Sequence, residues 1–214
     1  MAGKKVKAKK TAKKAESGTL TIDDVKAIAA ALLIVGNAYP LQFVTEKDFY
    51  PLVEAYLFGR MPRVKREHSV EDGRIDFKIG GTNPAYLELA VTPRPLVDEA
   101  AGERANTKPG TLTGSQNKTE LNKLSLIPQS KAKGRFVLLI DLWEQPHTID
   151  SLKNTYSAQQ AVLTGKNIIN VVYAPRNGKP TVFKVKQVVA AQKAAKKHPV
   201  NKKSKSPGPK PTKA

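Results

Sequence analysis

The sequence predicts an α/β protein with a mixed central sheet flanked by helices, and three patterns predict it. Residues 73–91 contain two stretches of alternation, one with Ile75, Phe77 and Ile79 and one with Leu87, Leu89 and Val91. A period of two assigns each apolar set to one face of a sheet. Residues 135–142 and 168–173 are nearly continuous apolar runs, as expected of strands covered on both faces. Segments with helical spacing precede, separate and follow these strands, so that helix and strand alternate.

The elements follow in order. Thr21 is a candidate N-cap, with Asp23 and Asp24 suited to the positive end of a helix that continues through the apolar residues 27–35. That run is shorter than the roughly 20 residues needed to span a bilayer. The aspartates also interrupt the basic-to-apolar transition of a signal peptide, so a cytoplasmic protein without a membrane association is expected. Thr45 or Asp48 caps the next helix, where Phe49, Leu52, Val53, Tyr56 and Leu57 recur at helical spacing and Gly59 ends the run. Glu54 falls at the edge of that apolar stripe. Residues 64–70 read as a strand that turns at 71–73 into the hairpin, whose loop is Gly80, Gly81, Thr82, Asn83 and Pro84.

Residues 92–116 form a long Pro-, Gly- and Thr-rich connection without periodicity, in which Arg94, Arg104 and Lys108 could meet a nucleic-acid backbone. Asn117 and Glu120 have capping-box spacing, and Leu121, Leu124 and Ile127 give the helix that follows an inward face. Glu120 and Lys123 share a polar margin with Gln116, whereas Lys118 lies at the opposite margin. Strand 135–142, helix 148–163 and strand 168–173 imply a crossover and parallel pairing. Residues 180–186 add an edge strand guarded by lysines, and a last helix is expected over 187–197.

With 214 residues and 40% hydrophobic content, the chain has room for a single domain over residues 19–192. It has no cysteine, which excludes disulfides and thiolate chemistry, and His68, His147 and His198 are scattered without ligand spacing. The net charge of +19 is concentrated at the ends: residues 1–18 hold seven lysines against Glu16, and residues 193–214 hold eight lysines and no acid. Such segments bury no apolar surface and are expected to be disordered arms attracted to polyanions.

A hairpin loop centred on Thr82 sets Asp76 opposite Glu88, Lys78 opposite Tyr86 and Arg74 opposite Ala90. Facing carboxylates repel across a strand pair. A divalent cation such as Mg²⁺, which takes one or two carboxylates plus waters and phosphate oxygens, would offset the repulsion. A slip of one residue would instead keep the two acids apart.

Gly73, Arg74, Ile75 and Asp76, a turn, then Glu88, Leu89 and Ala90 resemble the central hairpin of the PD-(D/E)XK nuclease superfamily, over roughly residues 46–175. The resemblance implies a restriction-endonuclease-like core and a metal-dependent nuclease. It also implies Asp76 and Glu88 as catalytic residues and ligands of Mg²⁺ or Mn²⁺, with Glu54 as an additional ligand. The family pattern ends in a lysine two residues after the Glu, where this chain has Ala90. Lys123 is the first candidate to replace that cation, followed by Lys118 and Lys78; Arg74 titrates too high to serve as a proton acceptor.

Two further readings stand beside the nuclease: a nucleic-acid-binding module of this fold without catalysis, and a basic assembly protein acting through its tails. The expected partner is nucleic acid, DNA ahead of RNA, and a homodimer is a candidate assembly. Removing residues 1–18 and 198–214 should weaken nucleic-acid binding and flatten its dependence on salt while cooperative melting survives. Binding isotherms over a salt series measure this, and an unchanged slope would refute a role for the tails.

Overall fold

The computed structural model describes residues 18–43, 45–93, 97–98, 103–104 and 112–188. The expectations for the basic arms, apart from Gly18, and for a helix beyond Val188 lie outside the described residues. Thr21 caps α1 (Ile22–Ala38) through a reciprocal capping box with Asp24. Thr45 and Asp48 make the same exchange one element later, but there it opens a 3-10 turn, Glu46–Phe49, that leads into α2 (Tyr50–Phe58). The strands are β1 (Val64–Val70), β2 (Gly73–Ile79), β3 (Ala85–Thr92), a short ribbon of β4 (Val97–Asp98) and β5 (Glu103–Arg104), β6 (Gly134–Asp141), β7 (Ile169–Pro175) and β8 (Thr181–Val185). Helices α3 (Lys118–Leu126) and α4 (Ile149–Gln159) flank β6 in sequence.

The main sheet has six strands in the order β1-β2-β3-β6-β7-β8. The pairs at either edge are antiparallel, and β3, β6 and β7 form a parallel block. The fold is thus mixed α/β, as the alternation of elements predicts. Every residue of β3 and β6 is buried, because each face of the sheet carries its own apolar layer. One layer joins Val25, Ile28 and Leu32 of α1 and Val53 and Leu57 of α2 to Phe77, Leu87, Leu89 and Leu138. The other joins Leu121, Leu124, Leu152 and Tyr156 to Tyr86, Ala90, Val137, Leu139 and Val171.

Four local expectations are corrected. Ile75 does not share a face with Phe77 and Ile79; it packs into the opposite layer with Leu121 and Leu124. The β1–β2 ladder pairs Arg66 with Phe77 and His68 with Ile75 but skips Glu67 and Asp76, and Glu67 has a left-handed φ of 48°. The interruption at Asp76 falls between Ile75 and Phe77, where the period of two is lost. Asn117 precedes α3 without capping it through its side chain; its amide reaches back to the Thr113 carbonyl at 3.1 Å. The connection after β3 carries the β4–β5 ribbon, while the side chains of Arg94, Arg104 and Lys108 lie outside the described residues. Gln187 and Val188 are not helical. Among the described residues, no helix is long and apolar enough to cross a membrane.

Helix α3 is held against the segment before β7 at close range. Asn167 Nδ2 donates to Ser125 O at 2.7 Å, and Gly165 N donates to Ser125 Oγ at 3.1 Å. A Cβ on Gly165 would overlap the Ser125 carbonyl and the Leu126 nitrogen, backbone atoms that cannot turn aside. Gly165→Ala should therefore cost about 1–3 kcal/mol by forcing the helix end outward. Urea denaturation measures it, and parent-like stability would contradict the close approach.

Candidate active site

The β2–β3 ladder pairs Phe77 with Leu87, Lys78 with Tyr86 and Ile79 with Ala85, the register expected from a loop centred on Thr82. Beyond Phe77 the ladder stops, and two carboxylates take over from backbone partners. Leu89 N donates to Asp76 Oδ2 at 2.8 Å, and Asp76 N donates to Glu88 Oε2 at 3.3 Å. The acids therefore meet, each holding an N–H at the point where the strands part.

Lys123 of α3 reaches the same place. Its Nζ lies 2.9 Å from Glu88 Oε1 and 3.8 Å from Glu120 Oε1. It donates to Arg74 O at 2.5 Å. The lysine stem passes Gly73, where a Cβ would sit in ordinary contact at 3.6 Å from Lys123 Cδ; it is the left-handed φ of 127° that favours glycine at this position. Glu88 is 3% exposed and Lys123 8%, so both charges depend on each other in a low-dielectric setting. Burial, followed by the nearby Asp76 charge, raises the pKa of Glu88, and Lys123 opposes that rise.

Asp76 is also held from the other layer. Tyr50 OH lies 2.5 Å from Asp76 Oδ1 and 3.1 Å from Glu46 Oε1. Burial first, and the Asp76 hydrogen bond second, raise the Tyr50 pKa and keep the phenol protonated. With one proton, it can donate to one of these acids at a time. Burial and then the Asp76 charge raise Glu46 to about 7.

These groups line a cleft of about 580 Å³, whose walls include Glu46, Asp76, Glu88, Ala90, Glu120 and Lys123. Gln116 also lines it, so the polar margin of α3 inferred from the helical wheel faces the cleft. Glu54 does not line it; it faces β1, with Oε2 3.8 Å from Arg66 Nη1. Lys118 is exposed and outside the lining, and Lys78 stands between Lys65 and Tyr86. The Arg74 guanidinium turns to Glu67 at 3.6 Å. His68 stands near the Tyr86 ring, with centroids 6.1 Å apart, and is not part of the cleft. Glu46 lines the cleft, and Tyr50, which does not, joins it to Asp76; the i, i+4 spacing of the two at the start of a helix is the sequence signal for them.

No family model matches the chain, and no curated protein sequence matches it. Among solved structures it is similar to Pyrococcus furiosus SfsA in complex with Ca²⁺. The identity is 13% and the TM-score 0.28, over 67% of this chain and 63% of that one, so the match spans less than two thirds of that protein. Among the described residues, no group of three or more His, Cys, Asp or Glu is arranged to hold a metal ion.

The raised pKa of Glu46 makes the folded protein bind a proton that the unfolded chain releases between about pH 4.5 and 7. This group's contribution to stability should therefore fall as pH rises through that window. Glu46→Gln should flatten the fall, as read from urea midpoints across pH. A Glu46 carboxyl carbon titrating near its ordinary value by NMR would contradict the burial.

Proposed function

We propose that the cleft hydrolyses phosphodiester bonds of nucleic acid, DNA ahead of RNA, with Mg²⁺ or Mn²⁺ held by Asp76 and Glu88. The observation that carries the reading is the convergence of Lys123 on this carboxylate pair, 2.9 Å from Glu88, in a chain with Ala90 at the family's usual lysine position. The donor set fits a hard cation. It offers two carboxylates, Asp76 and Glu88, beside an open cleft. An ion that completes its shell with water and phosphate oxygens suits such a pair, whereas one needing a closed protein cage does not. Glu46, across Tyr50 from Asp76, is the additional acid in this reading, and Glu54 serves β1.

When bound, the ion would neutralise phosphate charge and acidify water. The chain's own groups do the rest. Leu89 N and Tyr50 OH orient the two oxygens of Asp76, as supporting donors do for carboxylate ligands. The positive charge of Lys123 Nζ favours hydroxide over water at the cleft wall. The Arg74 carbonyl fixes the direction of that ammonium.

One observation favours a binding module without catalysis: Lys123 already neutralises Glu88, which lessens the pair's need for a metal ion. Single-turnover cleavage at saturating Mg²⁺ separates the readings. Asp76→Ala and Glu88→Ala should abolish cleavage, and Glu54→Ala should leave it near the parent's. Lys123→Ala should slow it by roughly two to four orders of magnitude, the range for a positioned acid–base group. Ala90→Lys in that variant should restore part of the rate. A parent that binds but cleaves no form of DNA or RNA is the binding module. Undiminished cleavage by Lys123→Ala would remove that residue from the mechanism.

A further inference from the structure

The loop joining β2 to β3 lies at the opposite end of these strands from the acidic cleft and opens a second cleft, of about 360 Å³. Its walls include Thr19, Arg63, Gly81, Thr82, Asn83 and Lys133, with no Asp or Glu among them. Arg63 and Lys133 are exposed, and neither is in an ion pair among the described residues.

The two cations are positioned by backbone bonds to this loop. Gly80 N donates to Arg63 O at 3.0 Å, and Lys133 N donates to Pro84 O at 2.9 Å. The Asn83 amide, oriented with its nitrogen toward Thr82 O at 3.2 Å and Ser130 O at 3.1 Å, ties the loop to the segment before Lys133. The Arg63 side chain lies over the loop, with Nη1 3.8 Å from where a Cβ on Gly81 would be. Gly81 thus presents bare, exposed backbone beside a guanidinium. A guanidinium fork and an ammonium flanking such a loop suit the oxygens of a phosphate.

We propose that this cleft anchors a backbone phosphate of the nucleic acid whose phosphodiester enters the acidic cleft; the inference rests on the nucleic-acid reading above. Chain connectivity favours a polymer over a lone phosphate. Gly18 and Thr19 sit on the cleft wall, and the seven lysines of residues 1–17 precede them directly in sequence. Along β3, at about 3.3 Å per residue, Glu88 lies about 13 Å from Pro84 at the end of the loop. A strand with phosphates about 3.4 Å apart along the helix axis bridges that span in about four nucleotides.

The test uses full-length protein with EDTA, so that binding is read without cleavage. Arg63→Ala combined with Lys133→Ala should lower the slope of log K against log salt by about 1 in magnitude, as for one phosphate no longer neutralised. The gain in affinity as oligonucleotides lengthen from about two to about ten nucleotides, past the expected span, should shrink in the double variant. Lys133→Glu should weaken binding further, with parent-like melting confirming the fold. Gly81 and Thr82 amide signals should shift with oligonucleotide. Unchanged slope and length dependence would overturn the anchor. So would amide shifts caused by inorganic phosphate and not by oligonucleotide, which would mark a small-anion site. Loss of binding in these variants with no cleavage by the parent would sink the nuclease reading and leave the anchor standing.

Discussion

The contact between Glu88 and Lys123 is the constraint on which the rest of the cleft depends. Each is almost wholly buried, and removing a charge from water costs several kcal/mol unless an opposite charge stands beside it. Neither residue can be placed without the other, so α3 must lie where its lysine crosses the start of β2. Arg74, in the same strand, supplies a carbonyl to the ammonium. On the other side, Tyr50 brings α2 to Asp76. Elements from both layers are thereby tied to one point of the sheet.

That point lies where β3 changes partners. Its eight-residue parallel ladder with β6 is continuous, whereas its antiparallel ladder with β2 pairs three residues and stops before Asp76. Strands that part inside a sheet strand their N–H groups, and buried N–H groups need acceptors. Asp76 and Glu88 are those acceptors. Their carboxylates serve the backbone first, and their meeting in an open cleft follows from that service. The left-handed Glu67 lies at the same level in β1. Strain of this kind costs about 1–3 kcal/mol and persists where the surroundings enforce it; here it accompanies the turn of Ile75 into the opposite layer.

Much of this was legible in the sequence because it rests on local periodicity and loop chemistry. The alternation in 73–91 and the Gly80–Pro84 loop give the register that brings Asp76 toward Glu88. The apolar runs give the buried parallel block, and the helical wheel puts Lys123 beside Gln116 and Glu120. What escaped depends on contacts far apart in sequence. Glu54 lies at the edge of an apolar stripe, but a 3-10 turn ahead of α2 presents Glu46 to the cleft and leaves Glu54 to Arg66. Alternation assigns Ile75 to the face of Phe77, but the ladder is interrupted at Asp76 between them and Ile75 enters the opposite layer. The Asn117 spacing suits a capping box, yet Glu120 faces the cleft and Asn117 turns back to Thr113.

The source of the cation also determines what controls it. A lysine on β3 would be fixed by the ladder with β6, which is unbroken. A lysine on α3 is fixed by the packing of that helix, through Ser125 against Gly165 and Asn167 and through the apolar contacts of Leu121 and Leu124. Ala90 lies in the same apolar layer and lines the cleft. A lysine there beside Lys123 would crowd two ammonium groups around Glu88, where like charges raise each other's cost. A small residue at 90 and a cation at 123 are thus one arrangement. In this chain the charge balance of the cleft depends on tertiary packing about a helix instead of on strand register.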